Sequence, residues 1–117
     1  MTHVFISYSH EDDGFMRQMR EHLQAAGIEV WTDESHLGPG KGAFDRTIQG
    51  AIEQAICLIA ILSPDYRDSK WCGLEHGYAD TIGLTILPVL LRGDERTAVP
   101  IQPMGFLSIK NALRRIC

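Results

Sequence analysis

Trp71 and Glu75, in the run Trp71-Cys72-Gly73-Leu74-Glu75, are the pair in this chain whose types and spacing best suit chemistry. Residues four apart share one face of a helix. The run follows the strand-like Cys57-Leu58-Ile59-Ala60-Ile61-Leu62 by a short stretch containing Ser63-Pro64-Asp65. A helix over residues 70–82 would therefore begin near a strand's carboxyl end, where open α/β sheets bind ligands. Alone the pair is a weak signal, since most helix glutamates are solvated and most tryptophans are packing anchors. The same segment offers rival chemistries. Cys72, His76 and Asp80 lie on one helical face and are metal-ligand types, but at about 1.5 Å rise per residue the outer two are roughly 12 Å apart, too far to share a zinc ion. No metal site is expected. Cys72 and His76 have the spacing of a nucleophile and its base, yet nothing supplies a third group or an oxyanion site. Gly38-Pro39-Gly40-Lys41-Gly42 has the composition of a phosphate loop without the G-x-x-x-x-G-K-[ST] spacing. It reads better as a surface loop.

The elements that must position these residues fit one domain, residues 1–117, large enough to close a core without disulfides or metal. Composition is that of a globular protein, with 44% apolar and 22% charged residues. A net charge of −4 argues against direct nucleic-acid binding, which calls for a basic stripe; the adjacent pair Arg114-Arg115 suits a helix end instead. Three cysteines without C-x-x-C spacing argue against a disulfide framework and point to a reducing cytoplasm. No leader-like segment is evident and no apolar run reaches membrane-spanning length, so no membrane partner is expected.

Residues 4–9 read as a first strand, and Ser9 and Asp12 as helix-starting chemistry before Phe15, Met16, Met19 and Leu23 recur at helical spacing. Gly27 closes that helix. Residues 28–33 are a second strand, followed by a glycine-rich loop over residues 35–42, and Phe44, Ile48, Ala51, Ile52 and Ala55 form a helical stripe. A third strand spans residues 57–62, with an irregular stretch from there to Lys70. Gly83 should end the helix bearing Glu75. Residues 85–91 are a fourth strand despite Pro88, which suggests a bulge or an edge-facing amide. Residues 92–103 are loop with at most one helical turn, residues 106–110 a short fifth strand, and Asn111 caps a last short helix. This alternation predicts an α/β, flavodoxin-like, doubly wound five-stranded parallel sheet of order 2-1-3-4-5 with helices on both faces. Its switch point would gather the segment Ser7-Tyr8-Ser9-His10, the turn after Leu62 and the start of the Glu75 helix.

Phe5-Ile6-Ser7-Tyr8-Ser9 before an acidic loop and Asp12, then Trp31-Thr32-Asp33 before a glycine-rich loop, then Leu62-Ser63-Pro64 and Trp71-x-x-x-Glu75, together resemble a Toll/interleukin-1 receptor (TIR) domain. The match covers nearly the whole chain in order, and the compact form is similar to the bacterial and plant-like branch. The final helix is shorter than in the family, so the chain reads as an N-terminal fragment of a larger protein.

The resemblance implies an enzyme: an NAD+ nucleosidase cleaving the nicotinamide–ribose bond, with Glu75 as the catalytic carboxylate and NAD+ as substrate rather than cofactor. The products would be nicotinamide with ADP-ribose or a cyclic isomer, and the setting a bacterial immune effector in anti-phage defence. Nicotinamide leaves as a neutral molecule, so no general acid is needed, in contrast to ordinary glycoside hydrolysis. One carboxylate stabilising the oxocarbenium-like ribose is enough. Around it, Ser7, Tyr8, Ser9 and His10 would line the pocket, although Ser9 also suits a cap. Lys41 would meet phosphates as a point charge. Asp33 belongs to the substrate-binding set; Asp45 either binds a ribose or favours the helix N-terminus. Phe44 either stacks on a ring or opens the helix stripe, and Trp71 either anchors the helix or edges the pocket. Partners implied by the family are other TIR domains, meeting through residues 35–42, and a fused sensor or oligomerising domain. The alternative is a non-enzymatic module that only assembles with other TIR domains.

Overall fold

The computed structural model describes residues 3–32 and 46–98. Strand β1 (His3–Ser7) leads through a 3₁₀ turn (His10–Asp12) into helix α1 (Asp13–Ala25), followed by β2 (Val30–Thr32). Helix α2 (Arg46–Glu53), β3 (Ala55–Leu62), α3 (Pro64–Asp68), α4 (Lys70–Thr81), β4 (Ile86–Leu90) and the single turn α5 (Glu95–Ala98) complete the described chain. The strands form a parallel sheet in the order β2-β1-β3-β4. The expected fifth strand at residues 106–110 and the helix after Asn111 lie outside the described residues.

Strand periodicity sorts the core into two layers. Successive side chains of a strand point to opposite faces, so Val4, Ile6, Cys57, Ile59 and Ile61 pack with Met16 of α1, joined by Phe15, Met19 and Leu23. Phe5, Leu58, Ala60 and Leu62 point the other way, against Ile48, Ala51 and Ile52 of α2, Tyr66 of α3, and Cys72 and Ala79 of α4. Helices thus cover both faces, as a parallel sheet requires. Phe5 and Trp31, register partners on β1 and β2, stack with centroids 5.1 Å apart and planes 17° apart. Gly27, with φ +84°, takes the left-handed turn that ends α1, and its amide donates to the Gln24 carbonyl. Gly83 plays the same part after α4, with φ +78°.

Several boundaries differ from expectation for physical reasons. Ala55, expected to close a helical stripe, opens β3 instead, because the ladder with β1 pairs it with His3 and keeps it buried. The stretch expected to be irregular contains α3: Ser63 accepts from the Tyr66 amide at 3.1 Å and Pro64 takes the first helical position, where its missing N–H costs nothing. The β3–β4 register passes Pro88, opposite Ala60, without a shift; β1 and β3 shift between His3 and Val4. Among the described strands β4 pairs with β3 alone, and Pro88 lies at the edge of that described sheet, where a missing ladder donor is tolerated.

Candidate functional site

The pleat that sends Phe5 towards α4 sends Ser7 the same way at the carboxyl end of β1. Helix α4 begins at Ser69, whose hydroxyl accepts from the Cys72 amide at 3.2 Å, and turns Cys72, Glu75, His76 and Ala79 inward. Glu75 is consequently 2% exposed. Its Oε1 accepts from the Ser7 hydroxyl at 2.9 Å, and the Ser7 oxygen lies 2.9 Å from the Tyr66 hydroxyl. A carboxylate, a serine and a tyrosine from three elements therefore meet where β1 ends and α3 and α4 begin.

Burial sets the protonation of the groups around Glu75. It pushes the Cys72 thiol up to about 12, the charges of Glu75 and Asp12 adding to the effect while the hydroxyls of Ser69 and Ser7 oppose it. A nucleophilic cysteine needs the opposite, a thiolate near neutral pH, so Cys72 is an inert thiol, and neither ring nitrogen of His76 hydrogen-bonds it. Burial likewise holds the Tyr66 phenol well above its ordinary range, with Cys72 and Glu75 adding to it. His76 is driven down from its usual 6.5 by burial, partly offset by Asp80, and is a neutral imidazole at pH 7. Burial also raises the Cys57 thiol.

A second polar layer braces the first. Asp12, 5% exposed, accepts from the Ser63 hydroxyl at 2.6 Å and from Arg92 Nε at 3.0 Å. Arg92 reaches on to Asp65 at 2.5 Å. The β1–α1 turn, the cap of α3 and the segment after β4 are thereby tied together beside the carboxylate. Asp12, read from sequence as helix-starting chemistry, makes no side-chain cap bond; it faces inward.

The expected site residues divide. Ser7 and Glu75 meet directly. Tyr8 is buried on the opposite face, among the α1 cluster, with an edge-on contact to His10 at 6.2 Å. Ser9 caps the 3₁₀ turn, its hydroxyl accepting from the Glu11 amide at 3.4 Å, and His10 is half-buried. Trp71 is half-buried on α4, whereas the tryptophan packed on the sheet core is Trp31. Asp33, Lys41, Phe44, Asp45 and the loop over residues 35–42 lie outside the described residues. Sequence reasoning missed Tyr66, Ser63 and Arg92; the signal for Tyr66 was Ser63-Pro64-Asp65, a helix start that carries Tyr66 inward one turn later. A cavity of about 420 Å³ lined by His3, Gln24, Glu29 and Trp31 opens at the amino ends of β1 and β2, away from Glu75.

A family model described as TIR domain matches residues 4–116. The chain belongs to the TIR-domain family. Human Toll-like receptor 6 is 32% identical to this TIR domain over 66% of the chain and 10% of the receptor. An archaeal protein named NAD(+) hydrolase TcpA, from Theionarchaea archaeon (strain DG-70-1), is 33% identical over 58% of the chain and 21% of its own length. A probable 2′ cyclic ADP-D-ribose synthase, TcpO of Methanobrevibacter olleyae, is 30% identical over 62% of the chain and 21% of its own length. The TIR domain thus spans about a tenth to a fifth of these curated relatives. Among solved structures, the TIR domains of the activated Roq1 resistosome superpose with a TM-score of 0.73 at 23% identity, over 95% of this chain and 70% of that one. That likeness carries the fold. No described helix is long and apolar enough to cross a membrane.

Proposed function

We propose that this TIR domain is an NAD+ nucleosidase, with Glu75 as its catalytic carboxylate. The observation that carries the reading is the placement of Glu75: a carboxylate buried at the carboxyl end of a parallel sheet and held by Ser7. Relatives named as an NAD(+) hydrolase and a probable cyclic ADP-D-ribose synthase support it. In the reaction the bond between ribose C1′ and the nicotinamide nitrogen breaks, and its electron pair leaves with the ring as neutral nicotinamide. Glu75 stabilises the cationic ribose through its fixed charge in a dry setting, where such charge acts most strongly. Water then adds to C1′ and releases a proton, giving ADP-ribose; capture by a group of the bound adenosine part gives a cyclic isomer. Cys72 and Tyr66, held protonated, and His76, held neutral, contribute no competing charge beside the carboxylate at pH 7.

In this reading the domain acts in the cytoplasm as an immune effector. It works through self-association with other copies and under control of a fused domain, with Lys41, Phe44 and Asp45 as further substrate contacts. The test is incubation with NAD+ and chromatography of the products, with Glu75→Gln as control. Nicotinamide release that depends on Glu75 supports the reading, and the second product identifies hydrolysis or cyclisation. A second reading, an assembly module without activity, is favoured by the similarity to Toll-like receptor 6. Self-association by light scattering, with no nicotinamide released at any protein concentration, would establish it instead.

A further inference from the structure

We infer that Tyr66 is a positioning residue that fixes the direction of the Glu75 carboxylate by donating a hydrogen bond to Ser7, which donates in turn to Glu75; its catalytic consequence rests on the reading above. The number of hydrogens on these groups sets the direction. A serine hydroxyl has one hydrogen to donate and can accept two. With Glu75 ionised, Oε1 can only accept, so the contact at 2.9 Å uses the single Ser7 hydrogen. At the other 2.9 Å contact, between Ser7 Oγ and the Tyr66 hydroxyl, the tyrosine must then be the donor. The result is a one-way chain, Tyr66 Oη–H to Ser7 Oγ–H to Glu75 Oε1.

Each link is held independently. Ser7 ends the central strand β1 and is 1% exposed; Tyr66 is fully buried. Water therefore does not compete for either hydroxyl. The backbone of Tyr66 is pinned by the Ser63 cap, and Ser63 by its own hydrogen bond to Asp12. Burial keeps the Tyr66 phenol protonated, so the donor is not lost as pH rises through neutrality. Were Tyr66 to donate nothing, the Ser7 hydroxyl could rotate away from Glu75, and the carboxylate would lose that bond. Hydrogen bonds within such networks strengthen one another, so the remote link matters at the carboxylate.

Tyr66→Phe removes the one hydroxyl and keeps the ring that fills the core. The experiment compares wild type, Tyr66→Phe, Ser7→Ala and the double variant by two measurements. The first is ¹³C NMR titration of the Glu75 carboxyl carbon, assigned by its disappearance in Glu75→Gln. A donor to a carboxylate favours the ionised form, so losing it should raise the titration midpoint by about half a pH unit or more. Both single variants should show the rise, and Tyr66→Phe should add nothing once Ser7 is alanine, because its effect passes through Ser7. The second measurement is NAD+ cleavage: Tyr66→Phe should lower kcat about 5- to 10-fold with KM little changed, and move the acidic limb of the pH–rate profile to higher pH. An unmoved midpoint in folded Tyr66→Phe overturns the inference whatever the activity. A moved midpoint with unchanged kcat per folded molecule overturns the positioning role. If wild type releases no nicotinamide, the proposed function falls instead, and the titration alone decides the hydrogen-bond chain.

Discussion

His76 offers the sharpest test of how the inner face of α4 is built. It is 0% exposed, and neither ring nitrogen has a hydrogen-bond partner among the described residues. A neutral imidazole carries one N–H and one acceptor nitrogen, and a buried polar group left without a partner costs about 1–3 kcal/mol. Leucine is close in volume, and Cys72 and Ala79, buried on the same helix, belong to the apolar core. His76→Leu should therefore stabilise the domain at pH 7.5 by about 1–2 kcal/mol, allowing for imperfect packing of the new side chain.

The pH dependence gives a second, independent reading. Burial drives His76 below its usual 6.5, with the Asp80 charge opposing this in part. The unfolded chain then binds a proton near pH 6.5 that the folded chain refuses. The stabilising contribution is complete above 6.5 and is lost as pH falls from there through the folded value, with a slope of about 1.4 kcal/mol per pH unit inside that window. His76→Leu removes this slope. Other titrating groups are present in both proteins and largely cancel in the difference. Urea denaturation followed by circular dichroism at pH 5, 6, 7 and 8 should show the advantage of the variant widening below pH 6.5 and constant above it. An advantage that does not change with pH would refute the buried neutral imidazole. A variant less stable than wild type at pH 7.5 would show that His76 has a partner worth more than its burial costs.

Glu75→Gln should lower nicotinamide release about 100-fold or more while circular dichroism stays that of the wild type, since the amide keeps the shape of the side chain and loses the charge that stabilises the transition state. Asp12→Ala should cost about 2–3 kcal/mol in urea denaturation, because it strips the Ser63 hydroxyl of its acceptor inside the protein. Asp65→Ala, which removes only the outer contact of Arg92, should leave the denaturation midpoint nearly unchanged. If assembly completes the site, nicotinamide released per chain should rise with protein concentration alongside light scattering; constant high activity from a strict monomer would place the whole site within one chain.

Periodicity carries the layout in the sequence, and geometry at single residues does not follow from it. The alternation of apolar strands with helical stripes is enough to order β1 to β4 and to place Glu75 by a strand's carboxyl end, because burial of one face is what both periods record. Within Ser7-Tyr8-Ser9-His10, however, proximity to the switch point suggests four pocket residues, although the period of the strand sends Ser7 and Tyr8 to opposite faces and the chain leaves the strand after Ser7. The two-residue period by itself is enough to separate Ser7 from Tyr8. Tyr66 and the inward turn of Asp12 are harder to see, for they depend on where a short helix starts and on a partner far away in the chain: Ser63 lies 51 residues from Asp12, and Arg92 lies 80 away. Such contacts leave no periodic trace. The packing of Trp31 belongs to the same class, since only the register of β2 against β1 brings its ring onto Phe5. Ser7 and Glu75 are thus legible as types near one end of a sheet, while the hydrogen bonds that join them to Tyr66 come from atoms that the fold alone brings within reach.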